Sequence, residues 1–171
     1  MAAGLGNRMH PVTLTTPKPL VKVNGKRMID TVIEGLHNNG ISEIYIVVGY
    51  LKEQFAPLVT EYPGVRLIEN PYYDTCNNIA SLYVARDHIE NAIILDGDQI
   101  IYNPDILAPE FERSEQKQNR QIYWDDVALF CYPEEYRLGV RPMNKDDIIE
   151  VDNFSELLAL DSSYKKYEGE A

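Results

Sequence analysis

The 171-residue sequence has little cysteine, no long apolar run and few basic residues. Its two cysteines, Cys76 and Cys131, lie far apart and form no C-x-x-C pair, so we expect reduced thiols rather than a disulfide framework or a zinc knuckle. No apolar run reaches the ~18 residues that cross a bilayer. No charged segment followed by an apolar stretch opens the chain, as it would in a secretory signal. We therefore expect a cytoplasmic protein without a membrane partner.

The charge balance is strongly acidic. Lysine and arginine number 16 and aspartate and glutamate number 27, which gives a formal net charge of −11. Such a surface repels phosphate backbones, so we expect no nucleic-acid partner, although one local basic site for a small anion is compatible with it. Hydrophobic residues make up 44% of the chain and charged residues 25%, which is typical of globular proteins. The length favours a single domain over residues 1–171.

Hydrophobic periodicity predicts helices that alternate with short buried strands. Apolar residues at helical spacing predict a helix that starts at Met28 and ends at Asn38-Asn39-Gly40. The predicted strands are 44–48, 65–68, 92–95 and 136–140, and the predicted helical segments are 51–61, 78–88, 104–121 and 153–160. This alternation indicates an α/β protein with a parallel sheet covered on both faces. Ligands of such sheets bind beyond the carboxyl ends of the strands.

A glycine-rich segment near the N-terminus is the strongest chemical signal. Gly4 and Gly6 would let the backbone approach an anion closely and direct N–H groups at it. Arg8 could bind phosphate oxygens in a forked geometry, and Lys18, within Pro17-Lys18-Pro19-Leu20, would supply a compact cation. The spacing matches neither the phosphate loop of P-loop proteins nor the full dinucleotide fingerprint. The alternative is a surface loop rich in glycine and proline.

Asp96-Gly97-Asp98 follows the predicted strand 92–95. Because strand side chains alternate between faces, Asp96 and Asp98 would point the same way. Carboxylates at the edge of a sheet suit Mg²⁺, which takes oxygen ligands. The alternative is a pair of carboxylates that cap the strand or its turn.

At this point the residues carry a family resemblance. The run A-A-G-L-G-N-R-M-H-P-V-T-L-T-T-P-K-P-L-V-K-V-N-G resembles the signature loop of nucleotidyltransferases that make nucleotide-diphospho compounds, among them the sugar-1-phosphate nucleotidyltransferases. Within that superfamily the sequence most resembles the bacterial CTP:phosphocholine cytidylyltransferases. The blocks that support this are I-V-V-G-Y-L-K-E-Q-F at 46–55, N-N-I-A-S-L-Y at 77–83, L-D-G-D-Q at 95–99 and Y-W-D-D at 123–126. The resemblance covers most of residues 2–113 and returns over about 121–164.

The resemblance implies a Rossmann-like three-layer α/β/α fold and Mg²⁺-dependent transfer of CMP from CTP to phosphocholine. It implies catalytic roles for Lys18 and Arg8, nucleotide contacts at Ala2, Ala3, Gly4, Gly6, Asn78, Ser81 and Asp96, metal ligation by Asp98 and Asp125, and choline contacts at Tyr123 and Glu150. Two of these assignments have structural alternatives. Asn78 and Ser81 could simply cap a helix, and Tyr123 could belong to the core.

The sequence also departs from the family it resembles. In the family an apolar strand precedes the loop, and a further segment lies near the position of residues 114–115. Neither is present here, so we expect this sequence to join segments that are separated in the family. Two other functions are therefore kept as hypotheses. One is a sugar-1-phosphate nucleotidyltransferase with the same loop, lysine and aspartate. The other is a non-catalytic nucleotide-binding module or truncated relic. The sequence does not indicate an oligomeric state.

Overall fold

The computed structural model describes residues 1–89, 92–107 and 142–169. Short strands alternate with helices, as the hydrophobic pattern predicts. The strands are β1 (Lys22–Val23), β2 (Lys26–Arg27), β3 (Ile44–Val48), β4 (Val65–Glu69), β5 (Gln99–Ile101) and β6 (Ile148–Glu150). The helices are α1 (Met28–Asn38), α2 (Ala56–Glu61), α3 (Ile79–Ala85) and α4 (Phe154–Leu160). Several 3₁₀ turns join them, including Lys18–Leu20, Lys52–Phe55 and Pro104–Leu107.

The parallel pair β3–β4 organises the main core. Because strand side chains alternate, Ile44, Ile46 and Val48 point to one face, where they are buried with apolar residues of α1 and α2. Tyr45 points to the opposite face, where its ring stacks on His88 in the turn after α3, with ring centroids 4.1 Å apart. α3 itself packs against β3 and β4. Helices therefore cover both faces of the pair, and the predicted α/β class is confirmed.

The helix predicted from Met28 is confirmed as α1. One face of it is apolar and buried, comprising Met28, Ile29, Val32, Ile33 and Leu36. At its C-terminus the Gly40 N–H donates to the carbonyl oxygen of His37 at 3.0 Å, with Gly40 in the left-handed region at φ 76°. This satisfies carbonyl groups that would otherwise be orphaned at the helix end, which is the role expected of the Asn-Asn-Gly sequence.

The antiparallel pair β5–β6 builds a second core with α4. Ile100 lies opposite Ile149 in the pair, and the next residue after β6, Val151, is fully buried. α4 begins with a side-chain cap, because the Asn153 side chain accepts from the Glu156 N–H at 3.0 Å. The predicted capped helix over 153–160 is confirmed. The other buried members of this core are Met9, Val12, Val21, Val23, Met28, Ile100 and Leu157.

The predicted buried strand over 92–95 is wrong. No strand is assigned to this segment, which pairs with no strand in the described part of the chain, and Ile93 is 37% exposed. A buried strand needs ladder partners on both sides. Among the described residues, Met1 alone bonds to this stretch through its backbone: its amino group donates to the Leu95 oxygen, and its carbonyl accepts from the Gly97 N–H at 2.7 Å. The strand begins at Gln99, so Asp96-Gly97-Asp98 lies in the turn that enters β5.

Other predicted elements are confirmed or fall outside the described residues. The segment 51–61 is a 3₁₀ turn followed by α2, with Pro57 in the first helical turn as expected. The strand predicted over 65–68 is β4, and the helix predicted over 78–88 is α3 with its 3₁₀ extension. Of the segment 104–121, the described part is a 3₁₀ turn. The strand predicted over 136–140 lies outside the described residues. No helix in the described ranges has the length and apolar character to cross a membrane.

Candidate active site

A cleft of ≈ 530 Å³ opens at the carboxyl ends of β3 and β4. Every site residue predicted from the sequence that lies in the described part of the chain lines this cleft. These residues are Ala2, Ala3, Gly4, Gly6, Arg8, Lys18, Asn78, Ser81, Asp96, Asp98 and Glu150. The other two predicted residues, Asp125 and Tyr123, lie outside the described residues.

The glycine-rich loop is fastened to the end of β3. The Ala2 N–H donates to the Val47 oxygen at 2.9 Å, and the Ala3 oxygen accepts from the Tyr50 N–H at 3.1 Å. Further along, the Thr13 hydroxyl donates to the Gly6 oxygen at 2.7 Å. These bonds place the loop at the carboxyl edge of the parallel pair, where an α/β protein binds its ligand.

Lys18 is the buried cation of the cleft. It starts a 3₁₀ turn and is 9% exposed. Its ammonium donates to Asp98 Oδ2 at 2.5 Å and to Asp152 Oδ1 at 3.3 Å. Arg8 reaches the same Asp152 oxygen at 2.7 Å from the solvent side, with its side chain 69% exposed. Both basic residues of the predicted phosphate site are thus paired with carboxylates.

Antiparallel pairing brings the carboxylates together. Since Gln99 lies opposite Glu150, the start of β5 lies beside the end of β6, and the Val151 N–H donates to the backbone carbonyl oxygen of Asp98 at 3.2 Å. Glu150 and Asp152 flank buried Val151, so both turn to the cleft. Asp98, Glu150 and Asp152 each offer an oxygen within 4.8 Å of the others.

The electrostatics of this trio fit a divalent cation. Burial, and then the negative charges of Asp98, Asp152 and Asp96, raise the pKa of Glu150 above its ordinary value. Asp98 Oδ1 is buried without a hydrogen-bond partner among the described residues. Three carboxylates with an unsatisfied buried oxygen are the donor set that Mg²⁺ prefers. The residues present therefore fit the metal that the sequence predicts, with Asp152 as a member that the sequence analysis missed.

The start of α3 forms the opposite wall. Ser81 is 3% exposed, and its backbone N–H donates to the Asn78 oxygen at 2.9 Å. The Asn78 side chain makes no capping hydrogen bond to α3. Asn78 therefore stands at the start of α3 without capping it through its side chain, and its contact with the nucleotide stays a prediction.

Two buried or central residues of the cleft were not predicted from the sequence, Asp152 and Asn70. The signal for Asp152 was available, because Glu150-Val151-Asp152 alternates acidic and apolar side chains as a strand end does. Asn70 follows the predicted strand 65–68 at the edge where ligands bind, and its position alone could have marked it.

Comparisons with known proteins identify the family. The family model described as the MobA-like NTP transferase domain matches residues 1–160. The chain belongs to this NTP transferase family. It is therefore a nucleotidyltransferase, as the resemblance of its signature loop predicts.

Two sequence relatives and one solved structure of NTP transferases are similar to the chain. It is 33% identical to the 2-aminoethylphosphonate cytidylyltransferase of Lancefieldella rimae over 225 residues, 96% of this chain and 91% of that relative. It is 47% identical over 102 residues to the choline-phosphate cytidylyltransferase of Streptococcus pneumoniae, where the match covers 60% of this chain and 44% of that relative. The fold superimposes on the CTP:phosphocholine cytidylyltransferase structure from Streptococcus pneumoniae with a TM-score of 0.81 and 27% identity, covering 95% and 96% of the two chains. The predicted nucleotidyltransferase fold is confirmed.

Proposed function

We propose that this NTP transferase moves CMP from CTP to phosphocholine in a Mg²⁺-dependent reaction, giving CDP-choline and pyrophosphate. The observation that carries the proposal is the cleft in which Lys18 lies among Asp98, Glu150 and Asp152 opposite the glycine-rich loop. An acceptor phosphate oxygen attacks the α-phosphorus, a new P–O bond forms, and the bond from the α-phosphorus to the bridging oxygen breaks as pyrophosphate leaves. We also propose that residues 1–171 act as one domain in the cytoplasm.

The protein's own groups position the substrates and balance their charge. The loop N–H groups from Ala3 to Gly6 and the exposed guanidinium of Arg8 bind the β- and γ-phosphates, while Ala2, whose N–H donates to Val47, lines the nucleotide cleft. Lys18 binds oxygens of the reacting phosphates from the floor of the cleft. Asn78 and Ser81 contact the cytosine, and Asp96 lies on the sugar side of the nucleotide.

Asp98, Glu150 and Asp152 would hold the divalent metal. When bound there, the metal would supply a Lewis acid that neutralises charge on phosphate oxygens. Asp152, which the sequence analysis did not predict, thus joins Asp98 as a metal carboxylate. Asp125, the second ligand that the resemblance implies, lies outside the described residues and stays a prediction.

The acceptor is the finer part of the proposal. The 47% identity to a choline-phosphate cytidylyltransferase favours phosphocholine, whereas the relative that matches over nearly its whole length is named for 2-aminoethylphosphonate. Both acceptors carry a cationic nitrogen and a phosphorus oxyanion. The acidic cleft complements such a cation. The resemblance assigns Glu150 to the choline contact, whereas the carboxylate geometry assigns it to the metal. Tyr123 would add an aromatic face suited to quaternary ammonium. The second candidate is therefore 2-aminoethylphosphonate as acceptor.

Pyrophosphate release is the direct test. The protein is incubated with Mg²⁺, each of the four NTPs, and in turn phosphocholine, 2-aminoethylphosphonate and N-acetylglucosamine 1-phosphate. Mass spectrometry identifies the nucleotide product. We expect release that requires CTP together with phosphocholine, and CDP-choline as product. Asp98→Asn protein, purified in the same way, is the control for contaminating activity.

Each other outcome rejects a stated part of the proposal. Release with 2-aminoethylphosphonate alone would replace phosphocholine by the second candidate. Release with the sugar phosphate would move the chain to sugar-1-phosphate chemistry. No release with any pair, from a protein that binds CTP, would identify a non-catalytic nucleotide-binding module.

A further inference from the structure

Asn70 is a buried amide that no step of the proposed reaction uses. It is the first residue after β4, and it is 2% exposed. Its backbone N–H donates to the Val48 oxygen at 2.8 Å, which fastens it to the end of β3. Its side-chain oxygen accepts from the Tyr72 N–H at 2.9 Å, and its side-chain nitrogen donates to Ser81 Oγ at 3.2 Å. A single residue thus joins the ends of two strands, through its backbone, to the start of α3, through its side chain.

The orientation of the Asn70 amide follows from its partners. The backbone N–H of Tyr72 can only donate, so it must face the amide oxygen. The NH₂ group then faces Ser81, and Ser81 Oγ accepts that bond. Because Oγ is the acceptor, the hydroxyl proton of Ser81 is directed away from Asn70. Ser81 lines the cleft, so a hydroxyl proton turned to that side would face a bound ligand.

The neighbouring backbone fixes this wall further. Tyr73 packs on Gly49 so closely that a Cβ on Gly49 would lie 2.5 Å from the Tyr73 Cβ. Asn70 and Tyr73 therefore hold the start of this wall, residues 70–73, against the end of β3. A hydroxyl that donates from a rigid wall discriminates between ligand atoms, because its proton cannot turn freely.

We propose that Asn70 is a positioning residue for base recognition: it holds the Ser81 hydroxyl as a hydrogen-bond donor to the carbonyl oxygen of a bound pyrimidine. The proposal rests on the proposed function for the identity of the nucleotide. It does not depend on the transfer step, since binding alone reports it.

Asn70→Asp tests the polarity. The aspartate has nearly the same shape and still accepts from the Tyr72 N–H, but it faces Ser81 with an acceptor. The Ser81 proton then turns toward residue 70 and is lost to the ligand. Calorimetric titration in Mg²⁺ compares CTP with inorganic tripolyphosphate, which has the phosphates and lacks the base. We expect CTP binding to weaken about tenfold or more and tripolyphosphate binding to change by less than about twofold.

Ser81→Ala is the second variant, and it keeps the inference testable if the Asn70→Asp protein does not fold. It removes the hydroxyl itself, and we expect the same loss for CTP alone. In the double variant, Asn70→Asp should weaken CTP binding by less than about twofold beyond Ser81→Ala, because the two residues act through one hydrogen bond. Circular dichroism melting of each protein reports its folding.

Three results would overturn the inference: unchanged CTP affinity in either variant, equal loss for CTP and tripolyphosphate, or additive losses in the double variant. A wild type that binds CTP no better than tripolyphosphate would do the same. A wild type that binds CTP in this manner but releases no pyrophosphate would contradict the proposed reaction and leave the role of Asn70 intact.

Discussion

At the scale of single residues, the cleft balances its charges internally. The Lys18 ammonium lies between Asp98 and Asp152, and Arg8 shares the second carboxylate. These carboxylates are also two of the three groups that fit a divalent cation. We therefore expect Lys18 to compete with a bound cation for the same oxygens when no nucleotide is present.

This competition predicts opposite effects of one substitution. Lys18→Ala should tighten Mn²⁺ binding in the absence of nucleotide by about tenfold, because a unit positive charge a few ångströms away is removed. The same variant should lower turnover by ~10²-fold, the scale of one lost transition-state contact. Electron paramagnetic resonance of free Mn²⁺ measures the affinity, and pyrophosphate release measures turnover.

Lys18→Arg is the matched control, since it keeps the charge. Its Mn²⁺ affinity should stay within about twofold of wild type. Weaker or equal Mn²⁺ binding by Lys18→Ala would show that Lys18 does not compete with the metal. Near-normal turnover of Lys18→Ala would contradict its catalytic role.

The raised pKa of Glu150 links the stability of the folded protein to pH. Its raised pKa means that the folded protein holds this proton more tightly than the unfolded chain does. Its contribution to stability is thus fully present at low pH and is lost as the pH rises through the folded pKa. Above that pH the charged form opposes folding.

Glu150→Gln should therefore raise Tm at pH 8 by about 2 °C, and the gain should vanish as the pH falls toward 4. Thermal melts of both proteins over that range measure it. Glu168→Gln, at an exposed site near the C-terminus, removes the same charge outside the cluster and controls for net charge. A gain independent of pH, or one shared by the control, would show that the cluster is not the cause.

The residues of the cleft were predictable where a motif concentrates them. The loop residues, Lys18 and Asp98 follow from glycine and charge patterns within short runs. Asp152 and Asn70 were missed because their roles come from pairing across the fold. Asp152 reaches Asp98 through the β5–β6 register, and Asn70 reaches Ser81 across the end of β4.

At the scale of elements, the β3–β4 pair depends on one glycine. Gly64 has φ 82°, and a Cβ there would lie 1.8 Å from the Ser42 oxygen. Its own carbonyl accepts from the Ile44 N–H at 3.1 Å, which sets the first rung of the pair. The backbone approach and the conformation both require that no side chain be present.

Gly64→Ala should lower the free energy of unfolding by roughly 2 kcal/mol more than Gly40→Ala does. Gly40 has a similar φ of 76° but open space around its Cβ position, so its alanine variant bears only the conformational cost, about 1 kcal/mol. Urea unfolding followed by circular dichroism measures both. Equal losses would mean that the Ser42 contact relaxes without cost.

Local pattern predicted α1, β3 and α4 well, because each has its own periodicity and its own end signal. The segment 92–95 has the β-branched composition of a strand but pairs with no strand among residues 1–89, 92–107 and 142–169. Strand formation depends on partners far away in sequence, which no local pattern contains. The same reason explains why the antiparallel β5–β6 pair, between short segments nearly fifty positions apart, was not predicted.

At the scale of the whole molecule, the net charge of −11 acts against the folded state. Like charges repel more in a compact chain than in an unfolded one, and salt screens that repulsion. If the proposed metal binds at the acidic trio of Asp98, Glu150 and Asp152, it should add a specific stabilisation, because it would bind only the folded protein. Comparing a monovalent with a divalent salt at equal ionic strength separates charge screening from specific binding at the trio.

NaCl should raise Tm progressively, and MgCl₂ at matched ionic strength should raise it further. For a dissociation constant of about 1 mM, about 10 mM Mg²⁺ adds about 1.4 kcal/mol, or roughly 3–5 °C. Asp98→Asn should abolish the additional Mg²⁺ increment and leave the NaCl response in place, because it removes one ligand and changes the net charge by a single unit. Differential scanning calorimetry of the two proteins in both salts measures this. If Mg²⁺ and Na⁺ give the same shift at equal ionic strength, the trio does not bind the metal in the free protein, and the cation must enter the cleft with the nucleotide.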